Sequence, residues 1–194
     1  MGKNITGEKE ILLLIEKLDV QGDIQAEKMI QKISKFGVKA VPFLIKAAQD
    51  EEYPRIMKWS LLALGTIGDK KGLPVLIKAL GHERMTVKFH ALGGLARFNN
   101  KASAKKVALL LNDESGGVRG RALKTLMTLN NKSVATSILP LFSDPMWYIR
   151  QDTCKASEQF KMASAIPLLI TLEKSDEKKA VRTAASKALK VLRT

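Results

Sequence analysis

Asp113-Glu-Ser-Gly-Gly-Val118-Arg119-Gly-Arg-Ala122-Leu123-Lys-Thr-Leu126 decides how the rest of the chain is read, because it returns. It recurs as Asp144-Pro-Met-Trp-Tyr-Ile149-Arg150-Gln-Asp-Thr153-Cys154, and again as Asp176 followed by Val181-Arg182, Ala185 and Ala188-Leu189. Looser copies occupy residues 50–64 and 82–95, and the spacing between copies is 31 to 32 residues. A fixed period in this range is the signature of stacked supersecondary units, each unable to bury its apolar face alone. Such arrays present long surfaces for binding and seldom enclose a pocket.

Within each copy the apolar residues fall at three- and four-residue spacing, the helical period. Breaks every 12 to 18 residues divide the chain into helix pairs at 8–19 with 23–36, 38–49 with 54–67, 70–80 with 84–98, 101–112 with 116–129, 133–143 with 145–160, and 163–174 with 177–193. Six repeats follow, roughly 8–36, 38–67, 70–98, 101–129, 133–160 and 163–193, and the whole chain 1–194 reads as one domain. Pro42, Pro74 and Pro167 open first helices, where the missing N–H leaves nothing unsatisfied. Asp144-Pro145 reads as an N-cap with proline at the first helical position. Pro140 falls inside its helix, so a kink is expected there.

The pattern Asp-x4-Val-Arg-x2-Ala-Leu-x2-Leu, with Pro-Leu-Ile opening the partner helix, resembles the short HEAT repeat, in particular the variety named after phycobilisome lyase subunits. The resemblance covers nearly the whole chain and is weakest over residues 1–37. It implies an all-α, right-handed α-solenoid of about six helix pairs. For function it is broad, since this repeat serves adaptors, scaffolds, a few lyase subunits and a DNA glycosylase family.

On the second helix of the fourth repeat, Val118, Ala122, Leu123, Leu126 and Leu129 cluster on one side at 100° per residue and form the expected core. Cys154 takes the Leu123 position and reads as a small buried hydrophobe. The cation after the Val, seen as Lys88, Arg119, Arg150 and Arg182, lies within reach of the turn aspartate of its own or the neighbouring repeat, as with Asp113, Asp144 and Asp176. A structural Asp–Arg ladder holding repeat register is preferred here to a row of phosphate ligands. Gly93-Gly94, inside a helix, implies close packing of a neighbour, because each glycine there costs about 1 kcal/mol against alanine. Gly116-Gly117-x-x-Gly120 lacks the Lys-Ser/Thr of a phosphate loop and leaves room on the fourth repeat's outer side.

The resemblance places the second helices along a concave face. Their outward positions supply Arg55, Lys58 and Trp59, then Phe89, His90 and Arg97, then Arg121 and Lys124, then Trp147, Tyr148, Gln151, Asp152 and Lys155, and last Lys187. Lys124, Lys155 and Lys187 line up as a basic stripe. Trp59, Phe89 and Tyr148 read as exposed aromatics flanked by Trp147, although Trp59 and Phe89 could instead turn into the core between repeats. Cations interleaved with aromatics suit stacked bases on a phosphate backbone. They equally suit a protein hot spot.

The net charge is +14, with 33 Lys and Arg against 19 Asp and Glu. Residues 1–50 carry +1 and residues 51–194 carry +13. A field of that sign attracts an anionic macromolecule or merely keeps the chain soluble. The single cysteine excludes a disulfide framework and points to a reducing, cytoplasmic setting. No metal site, cofactor or membrane span is expected. The short patterns at Met1-Gly-Lys-Asn-Ile-Thr6 and Asn131-Lys-Ser133 match acylation or glycosylation signals no better than chance does.

Catalytic inventory is thin: two histidines, His82 and His90, without an evident nucleophile or carboxylate partner. A likeness in architecture to the HEAT-like alkylpurine DNA glycosylases would cast Asp152, with Trp147, Tyr148 and Arg121, as a carboxylate facing a departing base. The repeats here are shorter and more regular than in that family. The lyase resemblance would let the basic face hold bilin propionates, though no residue specifies this. The sequence therefore reads as a non-catalytic binding module, expected as a monomer. An acidic protein segment is preferred as its partner over DNA or RNA.

Overall fold

The computed structural model describes the backbone of residues 2–193 and the side chains of residues 7–193. The acylation-like pattern at residues 1–6 therefore lies outside the described side chains. Helices dominate, and among the described residues there is no strand. The chain packs as two compact units, Met1–Asn100 and Lys101–Thr194, which part between the third and fourth repeats.

The first unit contains α1 (Gly2–Glu16), α2 (Asp23–Ser34), α3 (Val41–Ala47), α4 (Pro54–Ile67), α5 (Leu73–Ala79) and α6 (Met85–Phe98). Three pairs stack in chain order, and α4 packs along both α2 and α6. Leu61, Leu64, Leu92 and Leu95 are fully buried at this seam. Prolines sit in the first turn of α3, α4 and α5. Both α4 and α6 end on a left-handed residue, Gly68 and Asn99, which turns the chain out of the helix. The expected close packing at the glycine pair is found. A Cβ on Gly94 would lie 2.5 Å from the Leu61 carbonyl oxygen, and one on Gly65 would lie 2.1 Å from the Gly94 carbonyl oxygen. Two facing glycines thus bring α4 and α6 to backbone contact.

The second unit contains α7 (Ala104–Ala108), α8 (Gly116–Leu129), α9 (Trp147–Phe160), α10 (Ile166–Ser175) and α11 (Lys179–Leu192). α8, α9 and α11 stack side by side as second helices. Val118, Ala122, Leu123, Leu126 and Leu129 are buried, as the spacing requires, and so is Cys154. α8 and α9 end on Asn130 and Lys161 in the left-handed region.

Two local expectations change. The first helix of the fifth repeat is wound from Lys132 to Ser143 as a 3-10 helix around Pro140, in place of a kinked α-helix. Proline cannot donate to the carbonyl four residues back and its ring crowds that carbonyl, so the tighter winding accommodates it. Asp144 is also not the N-cap of α9, which begins at Trp147 after Met146. Its carboxylate accepts from the Met146 amide at 2.8 Å, closing a turn ahead of the helix. The same turn forms at Asp113 on Ser115 (2.9 Å) and at Asp176 on Lys178 (2.9 Å). His82 performs this duty in the third repeat, where its Nδ1 accepts from the Arg84 amide at 3.0 Å. That role explains a histidine for which the sequence offered no partner.

Candidate functional site

In the second unit the turn aspartates Asp144 and Asp176 each pair with the arginine of the preceding repeat. The guanidinium of Arg119 spans Asp144 of the next repeat, Nε to Oδ2 at 2.7 Å and Nη2 to Oδ1 at 3.1 Å. Arg150 holds Asp176 in the same way, at 2.6 and 3.1 Å. The remaining Nη1 donates back to the arginine's own turn: to the Asp113 and Glu114 carbonyls for Arg119, and to the Asp144 and Pro145 carbonyls for Arg150. Arg182 repeats only this second half, to the Asp176 carbonyl at 2.7 Å and the Glu177 carbonyl at 3.3 Å. Bidentate, charge-assisted bonds are stronger than neutral ones. The Arg150 guanidinium accordingly holds the Asp176 carboxyl below its ordinary range, against the opposing effect of burial. Both Arg119 and Arg150 are pushed up by hydrogen bonding to their aspartates.

In the first unit most of the outward residues are drawn into contacts within the repeats. Trp59 does not stand open. It is 4% exposed, donates from Nε1 to the Val20 carbonyl at 3.1 Å and meets the His90 ring edge-on at 4.9 Å. Its indole thus lies between the chain ahead of α2 and the His90 ring of α6. Lys58 lies 4.4 Å from the centre of that indole, a cation–π contact. Arg55 is hydrogen-bonded to Asp19. Arg97 bonds Glu27 at 2.7 Å and Thr66 at 2.9 Å. These arginines hold the Asp19 and Glu27 carboxyls below their usual range through hydrogen bonds. Phe89 remains exposed, its ring 5.8 Å from that of His90.

In the second unit the outward residues fall into smaller groups. Trp147 and Tyr148 are 41% and 38% exposed, their rings edge to face at 6.1 Å, with Met146 exposed beside them. The room left by the glycines of α8 is partly taken. A Cβ on Gly120 would meet the Tyr148 ring at 3.6 Å, and one on Gly116 would meet the Tyr148 hydroxyl at 3.6 Å. Tyr148 therefore roofs the start of α8. Below it, Asp152 sits between Lys155 at 2.8 Å and Lys124 at 3.6 Å. Lys187 of α11 lies 3.5 Å from Glu158. Lys124, Lys155 and Lys187 thus each lie beside an acid. Glu158, which the sequence reading passed over, supplies one of them. Arg121 is half-buried, and its carbonyl accepts from Thr125 at 2.9 Å. Gln151 reaches towards the Ala180 carbonyl at 3.5 Å.

Among the described residues no group of three or more His, Cys, Asp and Glu is placed to hold a metal, and no helix is long and apolar enough to cross a membrane. Burial pushes the Cys154 thiol up to about 12, so it is not a thiolate near neutrality.

Stacked helix pairs of fixed period, registered by an Asp–Arg ladder, define an α-solenoid. Residues 13–87 match the family described as HEAT repeats. No curated protein matches the sequence. Among solved structures, the complex of CpcE and CpcF of phycocyanin lyase from Nostoc sp. PCC7120 is similar with a TM-score of 0.60 and 21% identity, over 90% of this chain and 74% of that one. A designed armadillo repeat protein in complex with the peptide (KR)4 is similar with a TM-score of 0.61 and 17% identity, over 94% and 99% of the two chains. An engineered protein reaches a TM-score of 0.67 at 17% identity, over 94% and 98%. At these identities the likeness is one of fold.

Proposed function

We propose that this chain is a non-catalytic binding module that grips an acidic protein segment on the face formed by α8, α9 and α11. The observation that carries the reading is the exposed group Met146, Trp147 and Tyr148 at the start of α9, the helix that also carries Lys155. Aromatic side chains that remain open to water beside charged residues are the composition of a protein hot spot. The alternation of Lys124, Lys155 and Lys187 with Asp152 and Glu158 favours a protein over a polyphosphate, because a phosphate backbone would meet two carboxylates along the stripe. Asp152 serves as the centre of an ion-paired trio, which accounts for it without a catalytic role. The designed repeat protein bound to (KR)4 illustrates that this fold can hold an extended peptide. The charge of +14 selects a peptide of the opposite sign here.

The test is fluorescence anisotropy of a labelled Asp/Glu-rich peptide, duplex DNA, single-stranded DNA and RNA, at about 50 and 200 mM salt, where phosphate contacts declare themselves. The expected result is peptide binding that keeps most of its strength at the higher salt, since apolar burial is not screened. That binding should fall on Trp147→Ala with Tyr148→Ala, and weaken on Lys124→Glu with Lys155→Glu. Nucleic-acid binding with a steep salt slope, and none to the peptide, would replace this reading with the nucleic-acid one.

A further inference from the structure

A cleft of about 290 Å³ opens in the first unit, between the second and third repeats. That volume lies at the low end of what holds a small ligand. The floor is apolar and buried, made by Ala48, Met57, Val75 and Ala79. Glu51, Lys78 and His82 stand at the rim.

His82 closes its turn with one ring nitrogen and keeps the other in reserve. Its Nδ1 accepts from the Arg84 amide at 3.0 Å. In a neutral imidazole the proton then sits on Nε2, which becomes a donor. The side chain is largely buried, 13% exposed, so this donor is fixed in direction. Nothing among the described residues accepts from it. Glu51 Oε1 is 3.8 Å away, beyond hydrogen-bond reach. Glu51 is itself placed by a turn, in which Asp50 accepts the Glu52 amide at 3.1 Å. Its carboxylate accepts no hydrogen bond among the described residues. A donor and an acceptor thus face one cleft, 3.8 Å apart, each without a hydrogen bond.

We propose that this cleft binds a small neutral molecule carrying a primary carboxamide on a flat apolar body. The amide oxygen accepts from His82 Nε2, the amide nitrogen donates to Glu51, and the body covers the apolar floor. The pairing of a donor with an acceptor selects the group. A ligand carboxylate on Nε2 would sit against the Glu51 carboxylate, and an ammonium would face the Nε2–H, so each sets like against like. A hydroxyl oxygen about 2.8 Å from two atoms 3.8 Å apart would subtend about 85°, tighter than its tetrahedral geometry. The two ends of a carboxamide reach both atoms without that compression. Lys78 and Glu51 offset one another at the rim, which favours a neutral ligand. A glutamine side chain of a protein brings the same amide on two methylenes and leaves most of the floor uncovered. The site lies wholly in the first unit and does not rest on the proposed face of α8, α9 and α11.

The experiment follows the ring signals of the two histidines of the intact chain by NMR while benzamide is added. The expected result is a saturable movement of the His82 signal with His90 unmoved, and a Kd in the millimolar range that so few atoms allow. N,N-Dimethylbenzamide, which cannot donate, and benzoate should each bind about tenfold more weakly, as loss of a hydrogen bond to a charged group or a like-charge contact requires. His82→Asp restores the aspartate that closes this turn in other repeats and removes the donor. It should fold as the parent does and lose about tenfold in affinity, read by saturation transfer to benzamide. Glu51→Ala, at an exposed position, should lose about as much. The proposal is overturned if the His82 signal does not move, if dimethylbenzamide or benzoate moves it equally, if both histidines respond alike, or if either variant binds as the parent does. Tighter binding of N-acetylglutamine amide than of benzamide would overturn it too, by making the occupant a protein side chain.

Discussion

Replacing Arg150 by alanine isolates what the ladder contributes, because the chain carries its own control at Arg182. The Arg150–Asp176 pair is nearly dry, with side-chain exposures of 11% and 3%. Removing the guanidinium leaves the Asp176 carboxylate with one remaining bond, from the Lys178 amide at 2.9 Å. Breaking a buried pair from one side costs about 3–5 kcal/mol, chiefly because the other charge is stranded. The surviving amide bond places the expectation at the lower end, about 3 kcal/mol. Arg182 makes the same two carbonyl bonds without a carboxylate, so Arg182→Ala should cost about 1 kcal/mol. Urea unfolding followed by circular dichroism reads the difference. With a slope of about 2 kcal/mol per molar, Arg150→Ala should lower the midpoint by about 1.5 M and Arg182→Ala by about 0.5 M. Leucine at both 150 and 176 should cost less than Arg150→Ala alone, since no charge is then stranded. Equal midpoints for Arg150→Ala and Arg182→Ala would refute the reasoning and reduce the ladder to surface ion pairs.

Four further outcomes follow. Gly94→Ala should destabilise by at least about 2 kcal/mol, as overpacking does when backbone must yield, since its Cβ would stand 2.5 Å from the Leu61 carbonyl oxygen. Gly120→Ala, whose nearest neighbour would be Ile149 at 3.5 Å, should stabilise by about 0.5–1 kcal/mol through helix propensity. Paired urea melts decide both. The Cys154 thiol, pushed up to about 12 by burial, should resist a thiol reagent at neutral pH and react fully once urea unfolds the chain. The fourth outcome concerns acid. The Asp176 carboxyl is held below its ordinary range, so its contribution is complete above about pH 4 and is lost as the pH falls through the lowered value. The stability gap between the parent and Asp176→Asn should be constant near neutrality and close below about pH 4. A gap that persists unchanged in strong acid would remove the charge from the account.

The fold was readable because a 31- to 32-residue period and a helical period reinforce each other in the second helices. The spans expected at 54–67 and 116–129 coincide with α4 and α8. First helices were less legible. Around Pro140 the competition between a lost hydrogen bond and the need to keep burying Val134, Ile138 and Leu141 was settled by 3-10 winding, which periodicity does not register. The ladder was legible because Asp and Arg recur at fixed spacing. Its direction, each arginine reaching forward one repeat while bonding its own turn, depends on stacking geometry. Trp59 shows the same limit. Whether it faces water or core depends on Val20, 39 residues away, and on His90 of the next repeat. The copy at 82–95 begins on His82, where other copies begin on aspartate, but that its ring nitrogen accepts the turn amide as a carboxylate does is settled only by the geometry.

The two tryptophans give the most direct test of the proposed binding face, since Trp59 is buried and Trp147 is 41% exposed. Tryptophan emission should be followed while the Asp/Glu-rich peptide is added to the parent, to Trp59→Phe and to Trp147→Phe. The account predicts a saturable emission change that survives in Trp59→Phe and vanishes in Trp147→Phe. A change carried by Trp59, or binding by anisotropy that leaves Trp147 emission untouched, would place the partner elsewhere and contradict it.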